Sequence, residues 1–279
     1  MSVGIAFSGG GVKAAFHIGV LRAFEEHNIN VDFVSGTSSG AIVASLFAAG
    51  FSSSDILNLF NHYAKKVICV DNRSIFKGVM NIKKGVRCIN KFDNLEWILH
   101  SVFKSKGIFD INDVSKKLAV CSVDVNLGKI IYFVNCNNMY NCDEEIYMCR
   151  GALYKMVRAS SAYPIIFEPS FYKGRILVDG GVMNNLPVRI LKKMGANNVI
   201  AVDVSNKCTS LKNLSMIDIG LRCIDIMGKY SKQKEIEEAD FVIIPNNISN
   251  ISILDFDYIN VLANQGYYET KKVINTFKF

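Results

Sequence analysis

Residues 7 to 21 read FSGGGVKAAFHIGVL, and the reading of this stretch decides the fold. Three consecutive glycines separate a short apolar run, Val3–Phe7, from an amphipathic one, Val12–His27. Glycine loses more freedom on ordering than any other residue. Three in a row between a strand and a helix therefore mark a place where something approaches the backbone closely. Val3–Phe7 has the length and apolarity of a buried strand. In Val12–His27, Ala15, Ile18, Leu21 and Phe24 share one helical face. A helix starting there offers unpaired N–H groups and the positive end of its dipole. The loop is thus suited to negative charge, standing or developing.

Outward from this point the pattern repeats. Val31–Ser35 reads as a second strand, and Ser39–Ala49 as an Ala-rich helix ending before Gly50. Strand, helix, strand, helix with short connections predicts a right-handed parallel unit. Ser52-Ser53-Ser54-Asp55 caps a further helix over about 56–67. Between about 65 and 110 the composition turns basic, with Phe76, Trp97 and Phe103 among the Lys and Arg residues. This segment reads as a mostly helical, cap-like insertion. Leu118–Val125 and Lys129–Val134 flank Asn126-Leu127-Gly128 as a hairpin. Ile146–Ala159 reads as a helix, Arg175–Val178 as a strand and Leu186–Met194 as a helix. Asn198–Val204, a long helix Leu214–Glu238, a strand Phe241–Ile244 and a closing helix Asp257–Phe277 complete the α/β pattern. The expectation is a single domain over 1–279.

The chain has 279 residues, half of them hydrophobic, which suffices for a large buried core. Met1-Ser2 leads directly into the first strand, so no secretory leader is expected. No apolar run reaches membrane-spanning length. The eight cysteines form no CxxC pair and lie at no zinc-ligand spacing from a histidine, which predicts reduced thiols, no metal and a cytoplasmic setting. The net charge of +7 suits nucleic acid, an anionic membrane surface or plain solubility, and does not choose among them.

Two anions fit the glycine loop. Gly9-x-Gly11-x-x-Ala14 matches the loose dinucleotide fingerprint, which expects an acidic residue at the end of the second strand. Asp32 lies at the start of that strand instead. What ends the strand is Gly36-Thr37-Ser38-Ser39-Gly40, a G-x-S-x-G turn between strand and helix. Its glycines permit the sharp turn that lifts Ser38 above the sheet edge, with Ser39 the first helical residue. If strands one and two are parallel neighbours, loop and serine share the carboxyl edge where open α/β sheets place their sites. The second anion is therefore the oxyanion of an acyl-transfer intermediate.

A serine nucleophile needs a base. His17, His27, His62 and His100 all precede the part of the chain where an α/β-hydrolase would supply its histidine. His17 reads as a packing or hydrogen-bonding residue. Asp179-Gly180-Gly181 follows a strand and is the better candidate, although Asp-Gly is also a common hairpin turn. A carboxylate in a partly dry site can accept the serine proton.

Four blocks in order resemble the patatin-like phospholipase family. They are Gly9-Gly10-Gly11-Val12-Lys13, Gly36-Thr37-Ser38-Ser39-Gly40, Ala159-Ser160-Ser161-Ala162-Tyr163-Pro164 and Asp179-Gly180-Gly181. The resemblance spans about 3–205 and is greatest to short bacterial-type members. It implies a three-layer α/β/α sandwich with a mostly parallel central sheet. It also implies lipid acyl hydrolysis by a dyad, with Ser38 as nucleophile, Asp179 as base and the amides of Gly9, Gly10 and Gly11 as oxyanion hole. Lys13 stands where the family more often has Arg, and Ala14 where it often has Gly. No cofactor and no nucleic acid enter this reading. The expected partner is a lipid or fatty-acyl ester, and the basic insertion suits peripheral contact with an anionic inner membrane surface. Acyl transfer to another acceptor, thioester cleavage and a binding role on the same fold remain open at this level, as do oligomeric state, head-group and chain length.

Overall fold

The computed structural model describes residues 2–67, 93–136, 138–205 and 215–277. In chain order the strands are β1 (Val3–Phe7), β2 (Phe33–Thr37), β3 (Lys117–Asp124), β4 (Lys129–Val134), β5 (Glu145–Met148), β6 (Ser170–Tyr172), β7 (Arg175–Asp179), β8 (Asn198–Val202) and β9 (Phe241–Ile243). The α-helices are α1 (Ala15–Glu26), α2 (Ser39–Ala48), α3 (Ser53–Val67), α4 (Asp93–Ser105), α5 (Leu153–Ser160), α6 (Arg189–Lys193), α7 (Met216–Glu237) and α8 (Ile259–Val273). The strands form one sheet in the order β5-β4-β3-β2-β1-β8-β9. β1 is parallel to both β2 and β8, and β2 to β3. Antiparallel pairing enters through β3–β4, β3–β7 and the β6–β7 hairpin.

Strand residues alternate between two buried layers, as the period of two requires. Ile5, Phe7, Leu118, Val120, Ile131, Phe133, Ile200 and Val202 enter the larger core, shared with α1 to α5 and α8. Ala6, Ala119, Cys121, Tyr132, Val199 and Ala201 face the other way, against Ile190 and Leu191 of α6 and Ile236 of α7. The sandwich is therefore helix, sheet, helix. The dinucleotide reading fails for the reason anticipated: Asp32 precedes β2, and its carboxylate accepts the Val3 amide at 3.1 Å.

Three expectations need correction. The span Ile146–Ala159 is not one helix. Glu145–Met148 pairs in parallel with β4, and Gly151, at φ 139°, breaks the chain before α5. The helix expected from Leu186 begins only at Arg189, after Pro187. Phe103, placed above in the basic insertion suited to membrane contact, is buried with Leu99 and Ile98 in the large core, whereas Trp97 is 64% exposed. The middle of the basic insertion, including Phe76, lies outside the described residues.

Helices α1 and α8 meet backbone to backbone. A Cβ on Gly19 would fall 1.9 Å from the Ala263 carbonyl oxygen, and one on Gly266 2.1 Å from that of Phe16. Alanine is the better helix former by about 1 kcal/mol, so propensity alone favours Gly266→Ala. Overlap with a neighbouring backbone dominates. The substitution is expected to lower unfolding stability by about 2–3 kcal/mol in urea denaturation; an unchanged midpoint would contradict this packing.

Candidate functional site

The site arises from two strands that run into each other end to end. β2 is parallel to β3 and finishes with Thr37 opposite Cys121. β7 is antiparallel to β3 on the same side and finishes with Asp179 opposite Ser122. The two strands thus converge on adjacent residues of β3, and both chains must turn out of the sheet there. Ser38 and Asp179 are the residues at this junction, and both line one cavity with Gly9, Gly10 and Gly11.

The turn at Ser38 is held in an unfavourable conformation. Its φ is 57° and ψ −129°, a region that non-glycine residues rarely occupy. Local packing leaves no alternative. A Cβ on Gly36 would lie 2.4 Å from the Gly40 oxygen, and one on Gly40 2.5 Å from the Ser8 oxygen. The Ser38 amide donates to Ser160 Oγ at 3.0 Å, and Ser160 in turn donates to the Cys121 carbonyl at 2.5 Å. Thr37 Oγ1 donates to the Asn184 carbonyl at 2.9 Å.

The three glycine amides have different partners. Gly9 donates to both the backbone oxygen and Oδ1 of Asn185, each at 3.2 Å. Gly10 donates to Ser39 Oγ at 3.2 Å. Gly11, at φ 60°, has no acceptor for its amide among the described residues, and its Cα packs under the Ile253 carbonyl, where a Cβ would come within 2.3 Å. Of the three expected donors, Gly9 is committed to the protein. Gly10 has a single side-chain acceptor, the Ser39 hydroxyl, and Gly11 has none among the described residues.

Asp179 is 1% exposed. Its Oδ1 accepts the Gly181 amide at 2.8 Å, while Oδ2 lacks a partner of ordinary geometry. Burial pushes its pKa up from 3.8 to about 7, against the opposing pull of the Ser38 hydroxyl and the Gly181 amide. Lys13, in the turn after the glycines, is fully buried, and desolvation brings it down to about 8 despite the opposing charge of the Asp225 carboxylate. Tyr163 donates to Asp225 Oδ1 at 3.0 Å, and burial raises both groups.

The cavity, about 240 Å³, has two characters. One arm runs among Ile42 and Leu46 of α2, Leu59, Tyr63 and Ala64 of α3, and Leu95, Leu99 and Val102 of α4, and is apolar. Away from it the polar groups of Tyr163, Asp225, Lys229 and Ser205 line the cavity together with Ile224, Leu254 and Ile259. None of the four histidines lines it. His17 donates through Nε2 to the Ser8 carbonyl at 2.9 Å and packs on Phe7, and burial lowers it to about 4, so the ring is neutral. Among the described residues no group of three His, Cys, Asp or Glu side chains converges as a metal site would require, and no helix is long and apolar enough to cross a membrane.

A family model described as patatin-like phospholipase matches residues 5–192. The chain belongs to the patatin-like phospholipase family. Its relatives include a protein named lysophospholipase NTE1 of Debaryomyces hansenii, 31% identical over 205 residues, which are 74% of this chain and 12% of that protein. The mouse patatin-like phospholipase domain-containing protein 6 is 30% identical over 210 residues, 74% of this chain and 14% of its own. This patatin-like chain thus spans about an eighth of the length of these relatives. Among solved structures it shares its fold with VipD of Legionella pneumophila, at TM-score 0.51 and 14% identity over 99% of this chain and 67% of that one. ExoU in its complex with SpcU, from Pseudomonas aeruginosa, gives 0.54 and 15% over 99% and 51%.

Several site residues of this patatin-like domain carried no sequence signal of their role. Asn185 grips Gly9, Ser39 Oγ receives Gly10, and Ser160 holds the elbow. Glu235, fully buried on α7, accepts from Asn184 Nδ2, from the Val188 and Arg189 amides and from Arg189 Nε, all within 2.9 Å. It ties the turn after Asp179 to the long helix. Ser160 belongs to the Ala159–Pro164 block that carried the family resemblance, but the block named no contact.

The raised pKa of Asp179 sets a sign for stability. Between 3.8 and about 7 the folded chain holds a proton that the unfolded chain has lost. The contribution is therefore fully present below 3.8 and lost as pH rises to about 7. Asp179→Asn removes the buried charge and keeps an acceptor for Gly181. It is expected to stabilise the fold by about 1–3 kcal/mol at pH 8 and by nothing measurable near pH 4, in urea titrations at both pH values.

Proposed function

We propose that this patatin-like domain hydrolyses the acyl ester of a single-chain lipid, a lysophospholipid in the first instance. The observation that carries the proposal is the end-to-end meeting of β2 and β7, which brings Ser38, Asp179 and the Gly10–Gly11 amides to one largely apolar cavity. Two relatives' names, lysophospholipase and patatin-like phospholipase, support the substrate class.

In this mechanism Asp179 takes the Ser38 proton as Oγ attacks the ester carbonyl. The C–O double bond opens, and the negative charge that develops on oxygen is met by the amides of Gly10 and Gly11. Collapse breaks the bond to the glycerol oxygen, which leaves with the proton from Asp179. Water, deprotonated by the same carboxylate, then attacks the acyl carbonyl; the bond to Ser38 Oγ breaks, Oγ takes the proton back from Asp179, and the fatty acid leaves. Asp179 is a weak base in water, and burial to about 7 brings it closer to the task. The acyl chain lies in the arm between α2, α3 and α4, and the phosphate end faces Lys229 and the Tyr163–Asp225 pair.

The test is fatty-acid release from palmitoyl lysophosphatidylcholine. Wild type turns over, with kcat/KM rising as pH passes about 7. Ser38→Ala and Asp179→Asn lose about a thousandfold or more while folded. Wild-type turnover in Asp179→Asn would remove the carboxylate from the mechanism.

The apolar arm makes a separate prediction. Ala64 lies on α3 in its wall and is only partly buried. Ala64→Trp is expected to lower kcat/KM on a palmitoyl ester about tenfold or more, and to leave a butyryl ester within about twofold. Equal losses on both esters would place the acyl chain elsewhere.

A further inference from the structure

His17 is a fully buried titratable group that the mechanism above does not use. It stands in the first turn of α1, the helix that the glycine loop leads into. Its Nε2–H leaves the helix and reaches back nine residues to the Ser8 carbonyl at 2.9 Å. The bond closes residues 8–17 into a ring, and the three glycines lie inside it. The other ring nitrogen, Nδ1, is buried with no partner among the described residues. With nothing to bond there, the neutral ring carries its proton on Nε2. Burial brings the imidazole down to about 4, so this arrangement holds through the neutral range.

Packing alone does not account for these facts. The ring lies on Phe7, 4.7 Å between centroids, and an apolar side chain there would fill the space without an unmet nitrogen. Nor is His17 placed as a base. It does not line the cavity, and the one proton it carries is directed at Ser8. Asp203, the acidic group whose charge reaches it, is already paired with Lys232 at 2.5 Å and accepts the Ser205 hydroxyl.

What the bond does control is a peptide plane. The Ser8–Gly9 peptide is planar, so fixing its carbonyl fixes the direction of the Gly9 amide on the opposite side. That amide is received by Asn185. The other polar atoms of Ser8 are held as well: its amide donates to the Val202 carbonyl at 3.1 Å, and its Oγ accepts the Val204 amide at 2.9 Å. The Ser8 carbonyl also lies against Gly40 at the start of α2, where a Cβ would come within 2.5 Å. His17 therefore holds an oxygen on which both the glycine loop and the elbow rest. Beyond Gly9 the chain turns through Gly10 and through Gly11 at φ 60°, and glycine imposes no direction of its own.

We infer that His17 is a positioning residue: it clamps the Ser8–Gly9 peptide and so aims the Gly10 and Gly11 amides at the developing oxyanion. The inference rests on the ester-hydrolase reading of the cavity. Oxyanion donors are effective when they are held in place before charge develops. What is required of His17 is a fixed N–H, not a proton to transfer.

The test compares wild type with His17→Gln and His17→Leu, each below its thermal midpoint. Gln sets its amide Nε2 as many bonds from Cα as the imidazole Nε2 and keeps a donor, and Leu removes it. The readouts are kcat and KM for a dissolved butyryl ester across pH, deuterium exchange over residues 8–14, and the nitrogen NMR spectrum of the wild-type imidazole. His17→Leu is expected to lose about tenfold or more in kcat with KM within about twofold. Its pH midpoint stays at about 7, and exchange in its glycine loop rises about tenfold. His17→Gln is expected to stay within about threefold of wild type in kcat and in exchange. A His17→Leu protein equal to wild type in kcat and exchange overturns the inference. So does His17→Gln as impaired as His17→Leu, the outcome of a packing role. So does a wild-type ring protonated on Nδ1, a result that needs no variant to fold. If wild type cleaves no ester, the hydrolase reading falls, while exchange and the ring tautomer still decide whether His17 clamps the loop.

Discussion

Where β2 gives way to α2, three segments of backbone touch with no side chain between them. Gly36 lies against the Gly40 carbonyl, and Gly40 against the carbonyls of Phe7 and Ser8. This contact holds Ser38 at φ 57° and puts the end of β1, the glycine loop and the elbow within reach of one another. A strained residue persists only when its surroundings over-determine it. Here the surroundings are the sheet itself on one side and the Ser160–Cys121 hydrogen bond on the other. Any methyl group at 36 or 40 would push apart elements whose register is fixed by parallel pairing across β8, β1, β2 and β3.

Burial of Asp179 follows from the same junction. Its strand stops at β3 because β2 already occupies the rest of that edge, and the carboxyl group is left under the loop with one amide for company. An ionised carboxylate there destabilises the fold, and the same desolvation raises its basicity. Stability given up at Asp179 is thus the physical counterpart of the role proposed for it, a trade often met at functional sites. Glu235 solves the opposite problem. It is equally buried but accepts four N–H groups, and its charge fixes the turn after Asp179 to α7.

Much of this was legible in the residues because the signals are local. The alternation of apolar strands with amphipathic helices gave β1, β4 and the start of α2 at the observed positions, and the family resemblance of the four blocks matches the family model. Asp32 was rightly set aside on its position along the strand. What escaped depends on long-range pairing. Glu145–Met148 looks helical in isolation and becomes a strand because β4 offers it an edge. Ser170–Tyr172 escaped because its hairpin turns through Lys173 and Gly174, both at positive φ, and lysine is an unusual residue there. The grip of Asn185 on Gly9 joins residues far apart in the chain. Phe103 was misplaced because its cationic neighbours suggested a surface, whereas its helix turns it into the core.

The central claim is that the elbow presents an activated serine. The most direct measurement is intact-protein mass spectrometry after treatment with an alkyl fluorophosphonate, followed by peptide mapping. Attack by Ser38 Oγ on phosphorus expels fluoride and leaves one phosphonyl group on the serine. The account predicts a single adduct on the peptide containing Ser38, absent in Ser38→Ala and formed much more slowly in Asp179→Asn. An adduct on another residue, or none in a folded wild-type protein, would contradict it.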